Sequence, residues 1–227
     1  MKKLLILILC LYSGYVGFAQ DKQSWITIKG GASVPVGNYA GTDLEKSCFT
    51  QTGVNLGIEG AWSILKYLGI GGQFGYNLHT VNVSVLGWEK VQADPFLEDL
   101  YIRSEPYNSI SGMLGVYGSY TFWKKFQVTA KVLGGVMWMK SPYQLYKPQY
   151  FLVEPKWYEI TSAKDYNFAF AAGLGVQYNL SSCIGLKLEA EYDYSKMVFS
   201  FRTGNGVRND YRNISFINTT LGLVILF

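Results

Sequence analysis

Eight stretches of this chain alternate apolar and polar residues, so that every second side chain is apolar. A period of two is typical of β-strands with one apolar face, and its recurrence indicates an all-β protein. The alternation predicts strands at Trp25–Val36, Thr52–Ile64, Leu68–His79, Tyr107–Phe122, Phe126–Lys140, Tyr166–Leu180, Cys183–Ser195 and Ser215–Phe227. The strand number is even, and short connections alternate with long ones along the chain.

Alternation alone does not say whether the apolar face points into a core or out into lipid, because a soluble sandwich or barrel has the same period. Three further features favour lipid. The side chains of the opposite face are mostly small. They are the odd-numbered residues of "GIGGQFG" (69–75) and "AFAAGLG" (169–175), and small side chains suit a crowded interior. Segments of about 12 residues, at ~3.3 Å each and tilted, cross a hydrocarbon layer. Aromatic residues also gather at both ends of the strands, as in membrane barrels.

The strands therefore predict an eight-stranded antiparallel up-and-down transmembrane β-barrel. Closure is expected because only a closed sheet leaves no unpaired backbone edge in lipid. A soluble periplasmic β-barrel or sandwich is the alternative fold.

The first residues of the chain predict export. Lys2 and Lys3 precede an apolar core at Leu4–Leu11, and Gly17 and Ala19 are small residues before a cleavage site. The expected organisation is a signal peptide at residues 1–19 and an outer-membrane β-barrel at residues 20–227. Loss of the two lysines lowers the net charge from +4 to +2, which is too small to argue for nucleic acid as a partner.

Two motifs resemble a known family. "GGASVPVGNY" (30–39) is similar to the first strand of small eight-stranded outer-membrane β-barrels of the OmpA, OmpX and OmpW kind, and "NTTLGLVILF" (218–227) resembles their last strand. The resemblance implies location in the outer membrane of a Gram-negative cell, contact with its lipids and lipopolysaccharide, and a porin-like barrel. It also implies that Leu223, Ile225 and Phe227 form a signal read by the outer-membrane assembly machinery. The chain stops at its eighth strand, unlike full-length OmpA, so no cell-wall tether is expected.

Charged residues on the predicted inward face form one set: Lys29, Glu59, Lys131, Lys187, Glu189, Glu191 and Asp193. The three lysines lie four or five residues above the periplasmic end of their strands, and Glu59 lies at a similar height. An eight-stranded barrel has an interior that side chains just fill, so these charges are expected to pair. The first hypothesis is an ion-pair plug, which resembles the internal salt-bridge lock of the OmpA barrel. The alternative is a narrow path for protons or small ions.

Enzymatic alternatives have weaker support in the sequence. Glu189 and Glu191 have the spacing of an inverting glycosidase pair, but a filled lumen leaves no room for a sugar. His79, the only histidine, is predicted at the outer end of the third strand beside Ser109 and Ser111. That arrangement suggests a lipase or deacylase, yet no GxSxG motif is present. A rim histidine bonded to loop backbone is the competing interpretation. The chain is therefore predicted not to be an enzyme, with no catalytic, cofactor or metal site.

The two cysteines of residues 20–227 are predicted to be free. Cys48 falls in the first long loop and Cys183 in the turn between the sixth and seventh strands, at opposite ends of the barrel. A disulfide requires Cα atoms within about 7 Å, and residues at opposite ends of a membrane-spanning barrel are much farther apart than that.

The long loops are the expected site of function, since loops on a rigid scaffold commonly carry it. The second loop is acidic. The fourth is basic, with Lys196, Arg202, Arg208 and Arg212 available to lipopolysaccharide phosphates. Aromatic residues of the third loop either bind sugars or proteins or pack on one another. The main hypothesis is a non-enzymatic barrel that binds a ligand or an envelope protein through its loops. An accessory role in outer-membrane secretion or assembly, a narrow pore and a lipid-modifying enzyme are the alternatives.

Overall fold

The structure is a computed structural model that describes residues 24–123, 125–151, 154–203 and 206–227. Eight antiparallel strands form a closed barrel, in which each barrel strand pairs with its neighbours along the chain and the first closes on the last. The barrel strands are β1 (Trp25–Pro35), β2 (Gly53–Ser63), β3 (Leu68–His79), β5 (Tyr107–Trp123), β6 (Phe126–Lys140), β9 (Lys164–Asn179), β10 (Ile184–Thr203) and β11 (Gly206–Leu226). The predicted fold is confirmed. The predicted signal peptide lies outside the described residues.

The long connections are more ordered than the sequence predicted. They contain a 3₁₀ turn at Gly37–Tyr39, helix α1 (Val83–Ala93) and a separate three-stranded sheet. That sheet consists of β4 (Leu97–Ser104), β7 (Gln144–Tyr150) and β8 (Tyr158–Ile160). Within the described ranges, no helix has the length and hydropathy needed to cross a membrane. We call these connections, together with the outer parts of β10 and β11, the outer cap.

The predicted ends of the seventh and eighth strands are wrong. β10 continues to Thr203 and β11 begins at Gly206, so the expected fourth loop is a long hairpin in which Ser195 pairs with Ile214 and Thr203 with Gly206. The physical reason is that a strand beyond the bilayer needs no apolar outer face. Its outward residues are mixed, with Lys196, Ser200 and Asn209 beside the exposed Val207 and Tyr211, so the regular apolar alternation is lost and the sequence there looks like a loop.

Side chains sort cleanly by face. Large apolar residues on the outer face of the barrel are 53–73% exposed: Ile58, Phe74, Leu114, Val132, Leu174 and Leu221. In a soluble protein such a continuous apolar surface would be unstable in water, whereas a closed barrel in lipid requires it. The exterior is therefore the surface of a membrane-spanning protein, and β-barrels of this kind span outer membranes.

Aromatic rings mark the two ends of this apolar surface, as predicted. At the end with tight turns, the Trp62 and Phe227 ring centroids are 6.4 Å apart and those of Phe126 and Tyr178 are 4.9 Å apart. At the other end, Phe170 lies 5.2 Å from Tyr194. Such girdles match the interfaces between hydrocarbon and head groups.

Candidate functional site

The seven charged residues predicted to face the lumen all point into it, and each is at most 5% exposed. They come from four strands: β1 supplies Lys29, β2 supplies Glu59, β6 supplies Lys131, and β10 supplies the rest. Their side chains share the lumen because the strand alternation places residues 187, 189, 191 and 193 on one face of β10. Six of the seven meet in one cluster.

We call Lys29, Glu59, Lys131, Lys187, Glu189 and Glu191 the ion cluster. The carboxylate oxygens of Glu59 lie 2.6 Å from Nζ of Lys131 and of Lys187, and 3.1 Å from Nζ of Lys29. The carboxylate oxygens of Glu189 lie 2.5 Å from Nζ of Lys187, 2.6 Å from that of Lys131 and 2.7 Å from that of Lys29. Glu191 pairs with Lys29 at 3.3 Å and also with Lys131. Three lysines and three carboxylates give a neutral set, in which every charge has at least two partners of opposite sign.

Asp193 does not join the ion cluster. Its Oδ2 accepts a 2.6 Å hydrogen bond from Nδ2 of Asn218, and no lysine among the described residues lies within ion-pair distance of it. The sequence placed Asp193 in the same network from its position on β10. The structure differs because the lysines lie lower in the lumen and direct their contacts to Glu59, Glu189 and Glu191.

Gln73 borders the ion cluster and forms hydrogen bonds with it. From the sequence, Gln73 was not predicted among the residues of the network. Its Nε2 donates to Glu191 at 3.0 Å, and its Oε1 accepts from Lys131 at 2.8 Å. The pairing register puts Gln73 directly opposite Glu59. A long polar side chain on an otherwise glycine-rich inward face was the signal that could have found it.

Below the ion cluster, toward the end of the barrel with tight turns, aromatic rings close the lumen. The Lys187 ammonium lies 4.5 Å from the centroid of the Trp25 ring, a cation–π contact. Trp25 in turn meets Tyr117 edge to face at 5.4 Å. Both aromatic residues are 3% exposed.

Above the ion cluster, a second aromatic layer closes the outer side. We call Tyr39, His79, Tyr107, Phe199 and Phe216 the aromatic lid. His79 lies 5.1 Å from Tyr39 and 5.2 Å from Phe216 between ring centroids, and Tyr107 connects Tyr39 to Phe199 at 5.8 and 6.4 Å. Phe199 was missed because the seventh strand was predicted to end at Ser195. The inward alternation of β10 continues through Met197 to Phe199 and was the available signal.

His79 has different partners from those expected. Its Nε2 lies 2.9 Å from Oγ of Ser33, over the intervening strand β2, and its Nδ1 lies 3.2 Å from the Tyr39 hydroxyl. Register places Ser109 opposite Asn77 and Ser111 opposite Gly75, not at His79. Both ring nitrogens of His79 contact side chains, so the predicted bond to loop backbone is wrong. The Ser33–His79 pair is 0–1% exposed and faces a phenol where a hydrolase needs a carboxylate, so the geometry does not favour acyl transfer.

The carboxylates also have the spacing of a metal site. Glu59, Glu189 and Glu191 can bring oxygens within 4.8 Å of one another. Three ammonium groups already lie among those oxygens and neutralise them, so the arrangement is that of an ion-pair plug. The geometry favours closure of the lumen over cation binding.

The outer cap holds the remaining sequence features. Cys48 is buried in it and Cys183 is exposed in the turn at the other end, and both are free. Burial raises the pKa of the Cys48 thiol to about 11. Aromatic residues of the third loop pack on one another, with Tyr146 stacked on Tyr158 at 5.0 Å, while Trp157 stays 53% exposed.

The last strand presents its predicted assembly residues to lipid. Leu223, Ile225 and Phe227 point outward and are 47–61% exposed. Phe227 also contacts Trp62 in the aromatic girdle at this end of the barrel. The role of these three residues in assembly stays a prediction.

No family model and no curated protein matches the sequence. Solved structures that it is similar to include the attachment invasion locus protein Ail of Yersinia pestis, at 18% identity over 92% of this chain and 100% of that chain, with a TM-score of 0.45. The outer membrane protein OprG from Pseudomonas aeruginosa is 11% identical over 92% and 97% of the two chains, with a TM-score of 0.49. A major outer membrane protein from Thermus thermophilus is 13% identical over 90% and 99%, with a TM-score of 0.48.

Proposed function

We propose that this chain is a non-enzymatic outer-membrane β-barrel whose lumen is closed and whose outer cap binds a ligand or partner. The observation that carries the proposal is the three-layered filling of the lumen. The Trp25–Tyr117 pair, the ion cluster and the aromatic lid lie one above another, and their side chains are almost wholly buried. Because the lumen is filled, the barrel serves as a rigid support, and binding is expected at the outer cap that it carries.

The outer cap is built to be displayed. It contains a helix capped at its N-terminus by Asn82, a three-stranded sheet and a hairpin that continues two barrel strands. Ordered structure outside the membrane loses conformational entropy and is retained where it contributes contacts. Contact with membrane lipids follows from the apolar exterior. Lipopolysaccharide and an envelope protein are the partners that we propose for the outer cap.

A conductance measurement tests closure. The purified barrel, reconstituted in planar bilayers, is expected to give no current steps above the lipid baseline in dilute salt. The double variant Lys131→Ala, Glu191→Ala removes two paired charges and their volume together, and is expected to admit small, ion-carrying openings. Wild-type openings as frequent as those of the double variant would contradict a closed lumen.

A narrow pore is the second candidate, and one observation favours it. Lys29 and Lys131 each contact all three carboxylates of the ion cluster. Partners can therefore exchange without leaving a charge unpaired, which lowers the barrier to rearrangement. Wild-type current that falls when Lys131 alone is replaced by Met would support this second function.

A further inference from the structure

The outer cap encloses a cleft of about 210 Å³. Its walls come from the first connection, α1, the connection from β6 into β7, and the β10–β11 hairpin. Its floor includes Tyr107 and Phe199, which also belong to the aromatic lid. The cleft thus lies directly above the closed lumen, where the mouth of an open barrel would be.

The charges lining this cleft are unbalanced. Lys90, Arg208 and Arg212 face a single carboxylate, that of Asp210, which leaves an excess of two positive charges. Asp210 lies 2.8 Å from Arg208 and 3.7 Å from Arg212, so one acid serves two guanidinium groups. In the part of the chain that the structure describes, Lys90 has no ion pair.

Lys90 is held in the cleft by contacts that do not neutralise it. Its ammonium lies 5.1 Å from the centroid of the Tyr146 ring. Burial and the nearby charge of Arg208 both lower the pKa of Lys90. A half-buried cation beside a like charge is unfavourable in the unliganded protein, and a bound anion would relieve that cost.

Contacts with neighbouring groups orient both arginines. Arg212 donates a 2.6 Å hydrogen bond from Nη1 to the backbone oxygen of Glu45. The Arg208 guanidinium lies 5.5 Å from the centroid of the Phe201 ring. Groups positioned in advance lose little freedom when a ligand binds, which favours affinity.

The size and chemistry of the cleft select the ligand. Its volume is below the ~300 Å³ at which pockets begin to hold drug-sized molecules. Guanidinium groups match the oxygens of a phosphate, and a lysine adds a point charge. We propose that the cleft binds a phosphate monoester, carried either on a small soluble molecule such as a sugar phosphate or on the head group of a phosphorylated glycolipid. The inference rests on the proposed function, since it assigns a ligand class to the outer cap.

Calorimetric titration of the intact barrel in a maltoside detergent tests the inference, with glucose 6-phosphate as the probe. Saturable 1:1 binding is expected, and none with glucose. Lys90→Met and Arg208→Gln are each expected to weaken binding about tenfold, as loss of one charged hydrogen bond does. Lys90→Arg is expected to retain binding within about twofold, since it keeps the charge.

Lys147→Met is the matched control. Lys147 is also a lysine of the outer cap that lies over an aromatic ring, 5.6 Å from Trp157, but it does not line this cleft. Its replacement is expected to leave the affinity unchanged. Equal losses in the Lys90→Met and Lys147→Met variants would overturn the inference, because they would indicate attraction by surface charge alone. A gel shift between heated and unheated samples verifies that each variant is folded.

The source of the phosphate is decided by a second titration, with lipid A in maltoside micelles. Lipid A binding that is weakened by Lys90→Met and displaced by glucose 6-phosphate assigns the cleft to a glycolipid. Binding of glucose 6-phosphate alone assigns it to a soluble sugar phosphate. Absence of saturable binding to both probes overturns the inference, and the conductance result is independent of that outcome.

Discussion

Each lysine of the ion cluster lies over a glycine on a neighbouring strand. A side chain added at Gly57, Gly173 or Gly175 would come within 2.9–3.4 Å of the Cε atom of Lys29, Lys131 or Lys187, respectively. The glycines therefore provide the space that long side chains need in a lumen this narrow. The small inward residues and the inward charges of the sequence therefore depend on each other, because the long lysine side chains fit only where the neighbouring strand carries a glycine.

Removal of one partner from the ion cluster is expected to destabilise the barrel. Glu189→Leu leaves three lysines with two carboxylates in a buried site, and we expect a loss of about 3 kcal/mol in the free energy of unfolding. Leu188→Val changes a neighbouring side chain that is 58% exposed to lipid, and less than about 1 kcal/mol is expected. Urea unfolding of both variants in lipid vesicles gives the comparison. Equal effects would show that the charges line open water.

The two free cysteines are expected to differ in reactivity. Burial disfavours the Cys48 thiolate and raises the thiol pKa to about 11, so the thiol remains protonated and inaccessible at mildly alkaline pH. Cys183 is exposed in a turn and is expected to react with iodoacetamide within minutes. Because the pKa of Cys48 is higher in the folded state, its contribution to stability is complete below the unfolded pKa of ~8.5 and is lost as the pH rises towards about 11. Mass spectrometry of alkylated peptides, with and without denaturant, measures the difference.

Strands are the elements that the sequence predicted best. Inside the bilayer, a strand must be apolar outward and small or paired inward, and both demands are visible in the alternation. β3 and β6 have the predicted bounds for this reason. Beyond the bilayer the outward demand disappears, so the extensions of β10 and β11 were not recognised. Helix α1 and the β4–β7–β8 sheet were missed because they depend on packing between separate connections.

The tight curvature of the barrel leads to a prediction for strand β5. A Cβ added at Gly115 would overlap the backbone oxygen of Val132 on the adjacent strand, whereas one added at Gly112 would meet nothing within 4 Å. Gly115→Ala is therefore expected to lower the thermal midpoint of unfolding by several degrees or to prevent folding. Gly112→Ala, on the same strand, serves as its control and is expected to be neutral. Thermal unfolding followed by circular dichroism distinguishes the two, and similar midpoints would contradict the close approach of β5 and β6.

At the scale of the whole molecule, the final residue is expected to affect assembly more than stability. Phe227→Ser removes a lipid-facing ring that is 61% exposed, and Phe74→Ser removes a similar ring, 57% exposed, away from the terminus. If residues 223–227 are read as a signal, only Phe227→Ser should reduce the amount of folded barrel in the outer membrane. Both variants should refold alike in detergent. Equal membrane levels of the two variants would show that the last strand carries no such signal.

The sequence by itself determined the strand number, the direction of each face and the charged content of the lumen, because alternation with a period of two records burial directly. It could also order the lumen charges by height, since height follows from strand direction and residue count. Only the tertiary structure decided which charges meet. Lys29 and Glu189 are 160 positions apart in the chain, and their contact depends on barrel closure and strand stagger. The same holds for the outer cap, where Lys90, Arg208 and Arg212 come together only because α1 and the β10–β11 hairpin pack over a closed barrel.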